Sequence, residues 1–152
     1  MAFLNKKHKL KKQLQHDTML CGVACLEMIC EYYNKKYSAS YLSTICRPTT
    51  EGVSMLSIRN TAYVLGFDCE CGKINLDGIK NISSPCILHW NQNHFVVLYK
   101  VKKGTTFYIA DPAKGLVKYN LEEFKKHWIS TQSGGEEKGI AMFLEPTPAF
   151  YE

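Results

Sequence analysis

No apolar run in this chain exceeds a few residues, so no segment reads as a membrane span, which takes about 20 residues. The N-terminal stretch MAFLNKKHKLKKQLQ is basic but lacks the apolar core of about 7–15 residues that a secretory signal needs, so the cytoplasm is the expected compartment. The seven cysteines (Cys21, Cys25, Cys30, Cys46, Cys69, Cys71 and Cys86) are odd in number and irregular in spacing. That pattern speaks against a disulfide framework and for free thiols in a reducing compartment, most of them small core residues. No helix-turn-helix, zinc-finger or aromatic RNA-binding signature accompanies the positive charge, which argues against a nucleic-acid partner. Internal repeats and low-complexity blocks are also missing.

What remains is a chain of 152 residues, enough for one domain that buries a core without staples or metal. We read 1–152 as that single domain, with 1–12 as a basic N-terminal segment. The net charge of +5 comes largely from Lys6, Lys7, Lys9, Lys11 and Lys12, and such a run reads first as a solvated tail.

From about Thr18 to Tyr33, apolar residues at Cys21, Ala24, Cys25, Met28, Ile29 and Tyr32 recur at spacings of three and four, which predicts a helix with a buried stripe, capped by Asp17 or Thr18. A second helix is expected around Ser40–Ile45. A third starts at Ser54, aligns Met55, Ile58, Ala62 and Leu65, and stops at Gly66. The second half changes character. PCILHW (85–90), HFVVLYKV (94–101), TTFYIA (105–110) and GLVKY (115–119) are strand-rich runs separated by turn residues, and read as an antiparallel meander. Asn120 and Glu123 form a capping-box pattern for a helix ending near Trp128; Gly134, Gly135, Glu136 and Glu137 mark a loop, and IAMFLEP (140–146) is one more strand. Helices first and sheet second give an α+β fold.

A thiol at a helix N-terminus faces unpaired backbone N–H groups and the positive end of the helix dipole, both of which favour thiolate. Cys21 takes that place, and Gly22 beside it leaves room for a substrate backbone. An arbitrary cysteine is more often core filling, and position alone does not reverse those odds. The company does: a cysteine nucleophile needs an imidazole, a group to orient it and a donor for the oxyanion. His94 opens one strand and Asp111 ends the next, and antiparallel pairing brings such positions side by side.

Other candidates fit less well. His89 is expected on the opposite side of its strand and away from Asp111, while His8, His16 and His127 have no evident partner. Cys69 and Cys71 lack the second ligand pair a zinc site needs and read as strand residues sharing a face. Cys25 follows Cys21 by one turn, not at the spacing of thiol oxidoreductases, and packs inward. Asp68 and Asp77 sit in turn-like contexts with no histidine to orient, and Trp90 either lines the cleft or covers the core.

The run from Gln15 to Cys21-Gly22-Val23-Ala24-Cys25-Leu26, then HWNQNHFVVL, then Asp111-Pro112, resembles the papain-like cysteine-peptidase domain at the N-terminus of peptidase-containing ATP-binding-cassette transporters, which export bacteriocins and other double-glycine-leader peptides. The likeness spans roughly residues 10–150. It implies a papain-like fold, with Cys21 as nucleophile, His94 as general base and acid, Asp111 as its orienting partner and Gln15 as the side-chain donor of the oxyanion hole, with no cofactor and no metal. It further implies cleavage of precursor peptides after Gly-Gly, with an amphipathic helical leader as the part that docks. The implied partners are the transmembrane and ATP-binding parts of a transporter, which would make the domain membrane-associated. Met19-Leu20 stand where many members carry an acidic residue just before the cysteine, and the closing LEPTPAFYE looks like the run-on into a membrane part. Two other readings are a docking module that presents leaders without cutting them, and a different acyl-transfer activity on the same scaffold.

Overall fold

The computed structural model describes residues 20–47 and 54–152; Gln15, the lysine cluster, His8, His16 and the expected caps Asp17 and Thr18 lie outside the described residues. The first helix is α1 (Cys21–Tyr32), with Leu20 at its N-cap, a residue whose side chain has no oxygen with which to cap. It is also buried nearly all round rather than along one stripe, with only Glu27 and Glu31 reaching the surface. A helix apolar on every side belongs in the middle of a protein. α2 (Ala39–Cys46) and α3 (Met55–Leu65) pack against it, each opened by a serine cap, Ser38 and Ser54, that accepts a backbone N–H in its first turn. α3 stops at Gly66, whose φ of 105° is the left-handed conformation glycine adopts freely. A side chain there would also strike the backbone of Phe150.

The sheet follows, with strands in the order β1 (Phe67–Asn75), β7 (Glu136–Pro146), β2 (Cys86–Trp90), β3 (His94–Lys102), β4 (Thr106–Asp111) and β5 (Gly115–Asn120). β2, β3, β4 and β5 form the expected meander. α5 (Leu121–Trp128) opens with the full capping box, the Asn120 side chain accepting from Glu123 N–H and the Glu123 side chain from Asn120 N–H. Two strands go beyond the sequence reading, which had strand character in them at Cys69 and Cys71 alone. β1 joins the sheet from the nominally helical half, and β6 (Ile129–Ser133) pairs with the start of β7, so Gly134-Gly135 is a tight hairpin and β7 begins earlier than Ile140. Both are polar strands that survive by pairing with β7, where neighbours replace propensity as the source of order. A short helix, α4 (Leu76–Ile79), links β1 to β2, and a 3-10 turn (Pro148–Tyr151) closes the described chain.

Strand alternation sorts the sheet into two apolar layers. Ile87, Phe95, Val97 and Ala110 face α1 to α3, while Leu88, Trp90, Val96, Leu98, Phe107 and Ile109 face Phe124 and Trp128 of α5. Helices on both faces of one antiparallel sheet make this an α+β molecule, and they leave the strand ends, not the faces, as the place where side chains from several elements converge. Among the described residues no helix is long and apolar enough to cross a membrane.

Candidate active site

Three of the four residues singled out in the sequence converge at one end of the sheet, and the fourth, Gln15, lies outside the described residues. Cys21 is the first residue of α1, which packs on β3, and its thiol hydrogen-bonds to His94, the first residue of that strand. β3 and β4 pair with Val97 opposite Ala110, which sets Asp111 two positions from His94 on the same side of the sheet. There His94 Nε2 meets Asp111 Oδ1 at 2.7 Å. With Nε2 so engaged, Nδ1 is the nitrogen left for Cys21. The turn after β4 holds the carboxylate in place: Ala113 N–H donates to the same Oδ1 at 2.8 Å, and Lys114 N–H to the Asp111 carbonyl at 3.1 Å.

The electrostatics follow from these contacts. Burial alone would push the His94 imidazole down, but its hydrogen bonds to Asp111 and Cys21, with the charges behind them, outweigh that and bring it up to about 9. Burial pulls Asp111 upward, and the His94 hydrogen bond, the Ala113 N–H and the charges of His94 and Lys114 more than offset it, holding the carboxyl below its usual range. The imidazole is therefore protonated at neutral pH with an ionised carboxylate behind it. One turn along α1, burial first and then the neighbouring Cys21 and Asp111 push the Cys25 thiol far up, so it remains a neutral thiol. Of two cysteines on one helix, only one touches the histidine.

The thiol is not openly displayed. Cys21 is 2% exposed and the His94 side chain 16%. Leu20 supplies no side-chain cap, and the N–H of Cys21, as the first helical residue, has no partner within the helix.

Other candidates fall where their surroundings assign them. His89 stands opposite Phe95 on β2, pushed down by burial, partly offset by a hydrogen bond to the Gln92 backbone, and does not touch Asp111. Trp90 is 1% exposed and covers the core. Cys69 and Cys71 share a side of β1, across from Leu144 and Met142. His127 corrects the sequence reading: it does have a partner, since its Nδ1 lies 2.7 Å from Asn91 Oδ1. No spacing in the sequence announces that contact, which joins the end of α5 to the β2–β3 turn. A cavity of about 900 Å³ between α3, β1 and β7 is lined by residues such as Tyr33, Arg59, Tyr63 and Glu145 and contains none of Cys21, His94 or Asp111, so volume alone does not mark the candidate site.

Comparison with known proteins identifies the family and the fold. The model of the peptidase C39 family matches residues 9–132. The colicin V secretion/processing ATP-binding protein CvaB of Escherichia coli is 34% identical over 136 residues, covering 90% of this chain and 18% of CvaB. The lactococcin-G-processing and transport ATP-binding protein LagD of Lactococcus lactis subsp. lactis is 37% identical over 138 residues, covering 87% and 18%. The chain thus spans under a fifth of the length of these relatives. Among solved structures, a double glycine motif protease from an AMS/PCAT transporter, in complex with a leader peptide, superposes with a TM-score of 0.79 at 32% identity, covering 94% of this chain and 96% of that one. The peptidase domain of Streptococcus ComA, a bi-functional ABC transporter, superposes with a TM-score of 0.76 at 26% identity over 91% and 100%. The fold is that of a papain-like peptidase.

Proposed function

Because this chain belongs to the peptidase C39 family, we propose that it is a cysteine endopeptidase that cuts the leader from precursor peptides after a Gly-Gly pair, on the cytoplasmic side, as a single-domain part of a peptide-exporting ABC transporter. The observation that carries the reading is the continuous contact from Cys21 through His94 to Asp111. In the proposed reaction the Cys21 sulfur attacks the carbonyl carbon before the scissile bond while the oxyanion draws on the N–H of Cys21 and the side chain of Gln15. His94 then gives its Nδ1 proton to the leaving amine, and afterwards takes a proton from the water that attacks the thioester and frees the acid. Asp111 acts through His94, holding the ring so that Nδ1 stays aimed at the sulfur.

Two glycines suit this site for a steric reason. A thiol with 2% exposure is reached most easily by backbone without β-carbons, and larger residues before the scissile bond are rejected by clash rather than by loss of attraction. The rest of the leader docks as an amphipathic helix on an apolar surface away from the sulfur. The related protease bound to a leader peptide and the relatives described as processing bacteriocins support this choice of substrate. Incubating the protein with a Gly-Gly precursor and weighing the products tests it. One cut directly after the second glycine is expected. Cutting elsewhere, or none with the wild-type protein, would count against the proposal.

A further inference from the structure

Trp90, the last residue of β2, is the cross-strand partner of His94. The three residues that connect them, Asn91, Gln92 and Asn93, form the turn, and Asn91 and Gln92 both take positive φ, 52° and 68°. A turn of non-glycine residues in that region is strained unless its surroundings hold it. Here α5 does the holding. His127 Nδ1 donates to Asn91 Oδ1 at 2.7 Å, and Asn91 N–H donates back to the His127 carbonyl at 2.9 Å. The His127 ring stacks on Trp90, with centroids 5.0 Å apart and planes at 12°. Tyr119 and Phe124 pack on other sides of the same indole at 5.5 and 5.7 Å.

We propose that His127 is a positioning residue for the cleavage reaction: through its bond to Asn91 and its stack on Trp90 it fixes the turn that sets the depth and angle of the His94 ring between Cys21 and Asp111. The inference rests on the catalytic reading of Cys21 and His94. The paired bonds to one residue make the point of attachment two-pronged, so the start of β3 cannot slide or tilt without breaking both. A misplacement of about 1 Å at a reacting group can cost roughly 10²-fold, which gives so remote a contact leverage on turnover. The charged groups around the two rings are Asp111 and Cys21 for His94, and Asp111, Lys114, Glu123 and Lys126 for His127.

The test separates the bond from the stack. H127A removes both, H127F keeps a ring on Trp90 without a donor, and H127N keeps a donor, since its Nδ2 occupies the place of Nδ1, without the ring. Turnover of a Gly-Gly precursor should fall roughly tenfold or more in H127A and H127F with KM changed less than about twofold, and H127N should recover most of the rate. The second readout needs no substrate: the rate at which iodoacetate, an anion attracted by the imidazolium, alkylates Cys21 as pH rises. Its decline reports loss of the His94 proton, and in H127A and H127F it should move to lower pH as the contacts that raise His94 loosen. If H127A lowers only the melting temperature, leaving kcat and the alkylation profile as in the wild type, or if H127F behaves as the wild type, the inference is wrong. A wild-type profile with no decline at all would overturn the Cys21–His94 reading itself, and the inference with it.

Discussion

At one end of the sheet Trp90, His94 and Asp111 stand on three successive strands, each held by side chains from another element; at the β1 edge Asp68 faces Glu145 directly and Cys71 is exposed. Like charges opposite one another on paired strands cost a few tenths of a kcal/mol to about 1. The same chain thus spends its order unevenly. Where the proposed proton transfer would need a fixed geometry, aromatic packing and a braced turn are in place; at the β1 edge, exposed and mismatched residues are tolerated.

Substitutions should sharpen that contrast. Cys21→Ala and His94→Ala should reduce cleavage by roughly 10⁴–10⁶-fold, read as product mass against time, with the circular dichroism spectrum unchanged. Asp111→Asn should slow turnover by roughly 10²-fold, because an amide still accepts a bond but orients the ring poorly, and should move the decline in activity at high pH well below about 9 by removing the charge that helps raise His94. Phe107→Ala, which opens the layer where Phe107 stacks on Phe124 with centroids 4.0 Å apart, should cost about 3–5 kcal/mol in urea unfolding.

The pH dependence of stability follows from the same pair. His94 titrates higher in the folded protein than its ordinary 6.5, so its contribution is complete below about 6.5 and is lost as pH rises through about 9. Asp111 titrates below its ordinary 3.8, so its contribution is complete above that range and is lost as pH falls through the depressed value. Urea midpoints should form a plateau between about 4 and 6.5 and fall on both sides, and Asp111→Asn should flatten the alkaline slope. Asn120→Ala, which removes one half of the capping box on α5, should cost about 1 kcal/mol with turnover nearly unchanged. Cys71→Ser at the β1 edge should change stability by no more than about 0.5 kcal/mol and leave turnover alone.

The contrast between core and edge also marks what could be read in the sequence. The meander β2 to β5 and the capping box at Asn120 were legible because β-branched and aromatic residues alternate there and turns carry their own chemistry. Cys21 could be named because it opens a helical pattern, and His94 and Asp111 because each sits at the end of a strand pattern, where antiparallel pairing predicts its neighbour. β1 was legible only at Cys69 and Cys71, which alternate on one face, and β6 not at all: Asp68, Glu70, Gly72 and Lys73, or Ser130 and Thr131, gain their order from β7, which lies far along the chain. The partner of His127 was hidden because a contact between α5 and a turn 36 residues earlier leaves no local trace.

The central claim, that His94 makes Cys21 chemically distinct, is tested most directly by competition among the thiols. Iodoacetate supplied below one equivalent near neutral pH, followed by peptide mapping, should label the buried Cys21 ahead of the exposed Cys71, and His94→Ala should reverse that order. Labelling that follows exposure in the wild-type protein, with Cys71 first and Cys21 spared, would contradict the account.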